Sequence, residues 1–206
     1  MNVIQILGLA LGSAWTSGIN LYATVAVLGL MHRYELAHLP ADLRVLANPW
    51  VIGVAVSLYS VEFLADKIPY VDTVWDAVHT FIRIPAGAAL AYGATAELHP
   101  AARVVALLVG GGLALSTHGT KASVRAAANV SPEPFSNWAL SLAEDVIAIG
   151  ASVLAVLHPV AILCVIAAFL LVAAWLLPKI IRRLGRLVRR AGAILRGGRV
   201  PSHTKT

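Results

Sequence analysis

The segment VAILCVIAAFLLVAAWLL, residues 160–177, decides the fold class because it contains 18 consecutive apolar residues and no charge. A helix of roughly this length spans the hydrocarbon core of a bilayer. The whole sequence has the same character, with 59% apolar residues, 13% charged residues and a mean hydropathy of +0.79. These values indicate an integral membrane protein. The single cysteine, Cys164, lies in this segment, so the chain has no intrachain disulfide and we expect a buried thiol.

Five further apolar segments predict an all-α protein with about six transmembrane helices, because a chain inside a bilayer must pair its backbone amides within helices. The six segments are 3–31, 50–65, 71–96, 101–130, 138–157 and 160–177. The polar centre of the first, residues 16–20, favours a tilted or locally unwound helix. Pro85 predicts a kink, a break or a re-entrant segment in the third, because proline removes a backbone hydrogen bond. Ser136 or Asn137 is expected to cap the fifth.

Positive charge is concentrated at the C-terminal end. Nine of the 16 Lys and Arg residues lie in the last 28 positions, which contain no acid, whereas residues 1–178 carry seven bases and ten acids. By the positive-inside rule, this distribution places the C-terminus in the cytoplasm and the protein in the inner, cytoplasmic membrane of a cell. Residues 179–206 predict a basic amphipathic helix and a disordered tail. The helix would bind anionic lipid headgroups, unless its bases act only as a topological signal.

Two segments resemble each other and suggest a duplication. GLAL at residues 8–11 precedes TSG at 16–18, and GLAL at 112–115 precedes THG at 117–119. The match divides a transmembrane domain, residues 1–178, into repeats 1–97 and 101–178. With three spans in each repeat, the second would be inserted inverted, an arrangement that is frequent among transporters. Chance similarity between two helices rich in small residues is the alternative.

Ionisable residues inside the predicted segments, together with Asp66 one position beyond the second segment, form four groups. They are Glu62 and Asp66; Asp72, Asp76, His79 and Arg83; His118, Lys121 and Arg125; and the adjacent pair Glu144 and Asp145. Spacings of three and four place the members of each of the first three groups on one helix face. A charge at the centre of a membrane helix costs about 2.5–3.5 kcal/mol on insertion scales, so these side chains should face one another, water or a solute. We take all eleven as candidates for a solute or ion pathway.

Two classes of function fit these groups. In the first, a transporter or channel, Arg83, Lys121 and Arg125 bind an anionic or zwitterionic solute in a cavity open to the cytoplasmic half, and a carboxylate or His79 takes up a proton. In the second, the charges pair tightly and lock the helices of a non-transporting scaffold that organises lipid or a partner. A divalent ion held by acidic residues and His79 of the second and third segments is a further interpretation.

Other classes of function receive no support from the sequence. It contains no nucleophile and base motif, phosphate-binding loop, dinucleotide motif or metal-chelating motif. We therefore expect no enzyme activity, no cofactor and no bound metal. The acidic balance of residues 1–178 argues against a nucleic-acid partner. The expected partners are the lipid bilayer and a small solute, and the pattern is compatible with a homo-oligomer.

Three groups of residues resemble a known family. They are Thr16-Ser17-Gly18-Ile19-Asn20-Leu21-Tyr22-Ala23; Glu62 and Asp66-Lys67-Ile68-Pro69 with Asp72, Trp75-Asp76 and His79; and His118-Gly119-Thr120-Lys121-Ala122 with Ser131-Pro132-Glu133-Pro134. They are similar to the bacterial membrane family catalogued as domain of unknown function 4126, over roughly residues 5–175. The resemblance implies a membrane protein and singles out the same polar positions. It implies no particular activity.

Overall fold

The computed structural model describes residues 1–68, 70–129 and 134–195, and the regular structure of that part of the chain is helical throughout. The elements are α1 (Val3–Arg33), a 3-10 helix (Ala41–Ala47), α2 (Pro49–Ala65), α3 (Val71–Ala94), α4 (Pro100–Ala128), α5 (Pro134–Leu157) and α6 (Pro159–Leu195). Each predicted segment corresponds to one α-helix. The basic segment that begins at Lys179 continues α6 without interruption as far as Leu195. The predicted disordered tail, residues 196–206, lies outside the described residues.

Among the described residues, four helical segments are long and apolar enough to cross a membrane. They are α1, α4, Asn137–Leu157 of α5 and Pro159–Ile180 of α6. The 3-10 helix and α2, which are bent by 66° relative to each other, make a fifth candidate if they are taken as one broken span. The protein is therefore a helical membrane protein with four or five candidate spans, fewer than the predicted six. The helix outside this set is α3, because charged residues occupy its first half.

Side chains are distributed as a membrane environment requires. Large apolar side chains cover the outside, for example Phe81, which is 83% exposed, and Leu171, which is 75% exposed. The largest fully buried side chains of the described residues are Arg83 and Arg125. An exterior of this kind is stable against lipid, and the buried guanidinium groups then require partners inside the protein.

The expectation of a buried Cys164 is wrong. Ile162, Ile166 and Ala173 recur at helical spacing and form the buried face of α6. Cys164 lies two positions after Ile162, which turns its side chain about 200° away from that face. The thiol is therefore on the exposed outside of the helix.

The central helix is α1, which is buried along most of its length and contacts each of the other helices. Glycine permits the closest approaches. A Cβ atom on Gly18 would lie 2.6 Å from the carbonyl oxygen of Ala114 on α4, and one on Gly87 of α3 would lie 2.5 Å from the Ala114 Cβ atom. Small residues at such crossings bring helix backbones together inside membranes. Three helices thus meet at Ala114, next to the candidate site.

The predicted local unwinding of α1 is confirmed at Asn20, where φ is −147° and ψ is 101°. The Asn20 side chain stabilises this break, since its Oδ1 atom accepts a hydrogen bond from the backbone N–H of Ala23. The Thr24 hydroxyl donates to the Asn20 carbonyl oxygen at 2.9 Å. The break is therefore an ordered feature in the middle of the central helix.

Two local predictions about helix ends and breaks are wrong. The predicted break at Pro85 is absent, because α3 runs through Pro85 as one helix that packs against α1 and α4; the predicted kink stays a prediction. Helix α5 runs over Pro134–Leu157, so positions 136 and 137 lie within the helix and not at its N-cap. Proline fits a first helical position because no intrahelical hydrogen bond uses its missing N–H. The inverted repeat and the domain division stay predictions.

Candidate functional site

Ionisable side chains from α2, α3, α4 and α5 meet in the interior beside the break in α1. We use the name charge network for three bases and five carboxylates: Arg83, Lys121, Arg125, Glu62, Asp66, Asp72, Asp76 and Glu144. All eight belong to the groups predicted from the sequence. Seven of their side chains are almost completely buried, and that of Glu144 is 14% exposed. Helical spacing brings them together because it aligns the charges of α3 and of α4 on single faces.

Arg83 links α3 to α2 and α4. Its Nη2 atom lies 2.5 Å from Glu62 Oε1, and its Nη1 atom lies 3.3 Å from Asp76 Oδ1. The same Nη1 atom donates to Nδ1 of His118 at 3.1 Å. A fully buried guanidinium group is stable only with such partners.

Lys121 occupies a cage of oxygen atoms. Its ammonium nitrogen lies 3.1 Å from the backbone carbonyl oxygen of Ile19, the residue before the break in α1. Four carboxylate oxygens complete the cage, those of Asp66 at 3.2 Å, Glu144 at 3.4 Å, Glu62 at 3.5 Å and Asp76 at 3.6 Å. The ammonium group thus holds the position that a free cation would take beside a broken helix.

Arg125 joins α4 to the turn after α2 and to α5. Its guanidinium group makes ion pairs with Glu144, with Asp66 at 3.0 Å and with Asp72 at 3.4 Å. Its Nη1 atom also donates to the backbone carbonyl oxygen of Asp66 at 2.9 Å. All three bases of the network are therefore occupied by carboxylates of the same chain.

The two histidines of the site have hydrogen-bond partners that fit neutral rings. His118 accepts from Arg83 at Nδ1, so its proton lies on Nε2, which contacts the Asp76 carbonyl oxygen at 3.0 Å and the Thr80 hydroxyl at 2.8 Å. His79 donates from Nδ1 to the Trp75 carbonyl oxygen at 2.8 Å. Its Nε2 atom is then free to accept from the hydroxyl of Tyr22, 3.0 Å away.

Asp145 lies beside the network but makes no ion pair with any described residue. Its Oδ1 atom accepts from Nδ2 of Asn20 at 3.2 Å, and its Oδ2 atom is buried without a hydrogen-bond partner. The residue is 4% exposed. The adjacent Glu144, in contrast, is paired with both Lys121 and Arg125. Neighbouring carboxylates on one helix therefore have different electrostatic surroundings.

Two ionisable groups of the turn between α2 and α3 have shifted pKa values. Burial raises the pKa of the Asp66 carboxyl to about 6, while the charges of Lys121 and Arg125 oppose that shift. Burial also lowers the pKa of the Lys67 ammonium, which donates to the Phe63 carbonyl oxygen and to the Ser141 hydroxyl. Asp66 is therefore a group that can exchange a proton near neutral pH.

The network contains more acid than base, since five carboxylates face three bases. Asp145 adds another carboxyl group next to them. Several of the buried carboxylate oxygens have no hydrogen-bond partner among the described atoms: Glu62 Oε2, Asp66 Oδ1, Asp76 Oδ2 and Asp145 Oδ2. Buried oxygens without donors are costly when ionised. The interior is thus suited to hold additional positive charge.

All eleven predicted site residues lie in the network or directly beside it, but several neutral partners were not predicted. Asn129 donates to both carboxylate oxygens of Asp72 at 3.1 Å, and Asn137 donates to the Asn129 side chain at 3.1 Å. Asn129 follows Arg125 by four residues, so it continues the polar face of α4, and that spacing was a usable signal. For a partner on another helix, such as Asn137, the sequence contains no comparable spacing that would indicate the contact. Among the described residues, no three His, Cys, Asp or Glu side chains are arranged to hold a metal ion.

Helices with apolar outer faces, a broken central helix and a buried set of ion pairs together define a polytopic helical membrane protein with an ionisable interior. The chain belongs to the family described as Domain of unknown function (DUF4126), whose family model matches residues 7–179. The match begins in α1 and ends at the first residue of the basic segment, so it includes the whole charge network. No curated protein and no solved structure matches the chain.

Proposed function

We propose that this protein is a small membrane transporter that couples the movement of a zwitterionic or anionic solute to protons, with the charge network as its pathway. The observation that carries this proposal is the excess of buried carboxylates over bases next to the break in α1. Broken helices whose carbonyl groups face buried charges are a recurring element of substrate and ion sites in transporters. A purely structural network gains nothing from unpaired carboxylate oxygens.

Within this proposal, a zwitterion fits the network better than a simple anion does. The three bases already bind carboxylates, so an added anion would have to displace one of them. A zwitterion can replace an existing ion pair with two new ones. Its cationic group takes the place of Lys121 or Arg125 beside a carboxylate, and its anionic group pairs with the base that is released. Proton uptake by a surplus carboxylate would keep the interior near neutral during the exchange.

The alternative is a non-transporting scaffold, and one observation favours it. Arg83, Lys121 and Arg125 each contact two or more carboxylates, which ties α2, α3, α4 and α5 into one unit. A scaffold needs such contacts and no passage for water. In either function we propose that the chain is not an enzyme, that it resides in the inner membrane with its C-terminus in the cytoplasm, and that the basic end of α6 binds anionic headgroups.

Accessibility of the network to a charged thiol reagent distinguishes the two functions. Ser141 is 1% exposed and accepts a hydrogen bond from Lys67, and Thr80 contacts His118. Each can be replaced by cysteine with little change in volume in a Cys164→Ser background. The variants are reconstituted in vesicles and treated with a membrane-impermeant methanethiosulfonate reagent, with and without an imposed pH gradient and glycine as a test zwitterion.

For a transporter, we expect labelling at both positions that increases with the gradient and the zwitterion. Absence of labelling at both positions under every condition would overturn transport and leave the scaffold. His38→Cys, on an exposed loop, is the positive control. Leu171→Cys, on the apolar outside of α6, is the control for a position that faces lipid and excludes the reagent.

A further inference from the structure

Asp145 differs from the carboxylates of the charge network because an amide is its side-chain partner and no described base forms an ion pair with it. The structure places Asn20 Nδ2 against Oδ1 of Asp145, and the Ala23 N–H holds the Asn20 amide in that orientation. Because the amide is neutral, it cannot balance an ionised carboxylate. The second oxygen, Oδ2, is buried and has no partner in the described structure.

The position of Asp145 makes an uncompensated negative charge on its carboxylate energetically unfavourable. It lies within Asn137–Leu157, a segment apolar enough to cross the membrane, and its helical neighbours on the buried face include Ala148 and Ser152. An isolated carboxylate in such surroundings becomes neutral or acquires a cation. A proton is the simplest cation that can neutralise it.

The charged and titratable groups around Asp145 come from three elements. The charge of Lys67, in the turn after α2, acts on it most strongly, followed by the charges of Glu62 on α2 and Lys121 on α4. Tyr59 of α2 is also within electrostatic range. The neighbouring Glu144 is neutralised by its pairs with Lys121 and Arg125. Lys121 is shared among four carboxylates, and the Lys67 ammonium donates to the Phe63 carbonyl oxygen and the Ser141 hydroxyl. No described base therefore lies within ion-pair distance of Asp145.

We propose that Asp145 is a proton-binding site, in which the carboxylate binds one proton at Oδ2, holds it more tightly when the broken segment of α1 moves Asn20 away, and releases it more readily when the Asn20 amide donates to Oδ1. This inference rests on the proposed proton coupling and assigns the coupled proton to Asp145. Protonation removes the uncompensated charge, while the Asn20 amide remains as donor to Oδ1. A movement of the α1 backbone at Asn20 that withdraws this donor favours the protonated carboxyl, and its return favours release, so the break and the proton are linked.

The test uses dicyclohexylcarbodiimide, which reacts with protonated carboxyl groups in apolar surroundings. The full chain in detergent micelles is treated between about pH 5 and pH 9, and the modified residue is located by mass spectrometry. We expect modification at Asp145 that declines about tenfold for each pH unit above its midpoint. Glu144 lies in the same peptide and serves as an internal control that should stay unmodified because it is ion-paired.

Two variants sharpen the result. Asp145→Asn should abolish the modification, while its helical content by circular dichroism shows whether it has folded. Asn20→Ala removes a donor that favours the ionised form, so the midpoint should move to higher pH. An unchanged midpoint would show that Asn20 does not act on the site and would overturn the proposed link.

Absence of modification at Asp145 across the pH range would overturn the inference. Protection by Na⁺ and not by choline at equal ionic strength would also overturn it, because the site would then bind a monovalent metal cation. The vesicle experiment is independent of this one. If Asp145 is modified but the accessibility in vesicles does not change, the proton site is present and the transport proposal is wrong. If the accessibility changes but Asp145 is not modified, transport proceeds through other groups.

Discussion

The ammonium nitrogen of Lys121 on α4 lies 3.1 Å from the carbonyl oxygen of Ile19, one residue before the break of α1 at Asn20. A carbonyl at a helix break has lost its intrahelical donor and needs another partner. Lys121 provides it and at the same time neutralises carboxylates from three other parts of the chain. The shape of the central helix and the charge of the interior therefore depend on one side chain.

Replacement of Lys121 by methionine should destabilise the protein by about 3–5 kcal/mol, because it leaves buried carboxylates and the Ile19 carbonyl without their cation. Thermal unfolding in detergent measures the loss. Adding Glu62→Gln should recover part of it by removing one of the stranded charges. Lys67→Met is the matched control at a partly exposed lysine. If the Lys121 and Lys67 variants unfold at the same temperature, Lys121 does not hold the interior together.

Replacement of Arg83 by methionine should likewise cost about 3–5 kcal/mol, since Glu62 and Asp76 lose a buried partner. Arg103→Met changes the same chemical group in an exposed pair with Asp42, where a loss of about 0–1 kcal/mol is expected. The difference in unfolding temperature between the two variants measures the effect of burial. Equal losses of stability in the two variants would contradict the burial of the charge network.

Gly18→Ala should loosen the contact between α1 and α4, because the added Cβ atom would lie 2.6 Å from the Ala114 carbonyl oxygen, which belongs to the backbone and cannot turn away. We expect a fall in unfolding temperature equivalent to about 1–3 kcal/mol. Gly119→Ala on α4 is the control, since a Cβ atom there meets nothing within 4 Å. That variant should keep or slightly raise stability, because alanine favours a helix.

The pH dependence of stability should include a contribution from Asp66. Its pKa is about 6 in the folded protein and 3.8 for an ordinary aspartate, so the folded state binds more protons between these values. The free energy of unfolding should therefore decrease as pH rises through this window, by up to about 3 kcal/mol. Thermal unfolding measured at about pH 4, 5, 6 and 7 tests this, with Asp66→Asn as the variant that lacks the contribution. Identical curves for the two proteins would contradict the raised pKa.

Sequence periodicity predicted the helices and the faces on which the charges lie. Spacings of three and four fix a helix face, which is why Asp72, Asp76 and Arg83 were expected on one side of α3. Spacing within a helix does not show which other helix that face meets. The contact of Lys121 with the Ile19 carbonyl oxygen joins positions more than a hundred residues apart and could not be predicted.

The errors have a similar physical origin. The burial of Cys164 depends on which side of α6 contacts the rest of the protein, and a uniformly apolar segment contains no signal for that choice. The continuity of α3 through Pro85 depends on packing against α1 and α4, which outweighs a local preference. In contrast, the unwinding at residues 16–20 was predictable because Asn20 can support a break with its own side chain.

The distribution of charge on α3 has a consequence for biosynthesis. This helix carries Asp72, Asp76 and Arg83, and the bases that neutralise its acids belong in part to α4, which the ribosome makes later. Until α4 has been synthesised, Asp72 therefore lacks the Arg125 partner that it has in the folded protein. The first half of α3 cannot reach its final packing before Lys121 and Arg125 have emerged, so we expect α3 and α4 to fold as a pair.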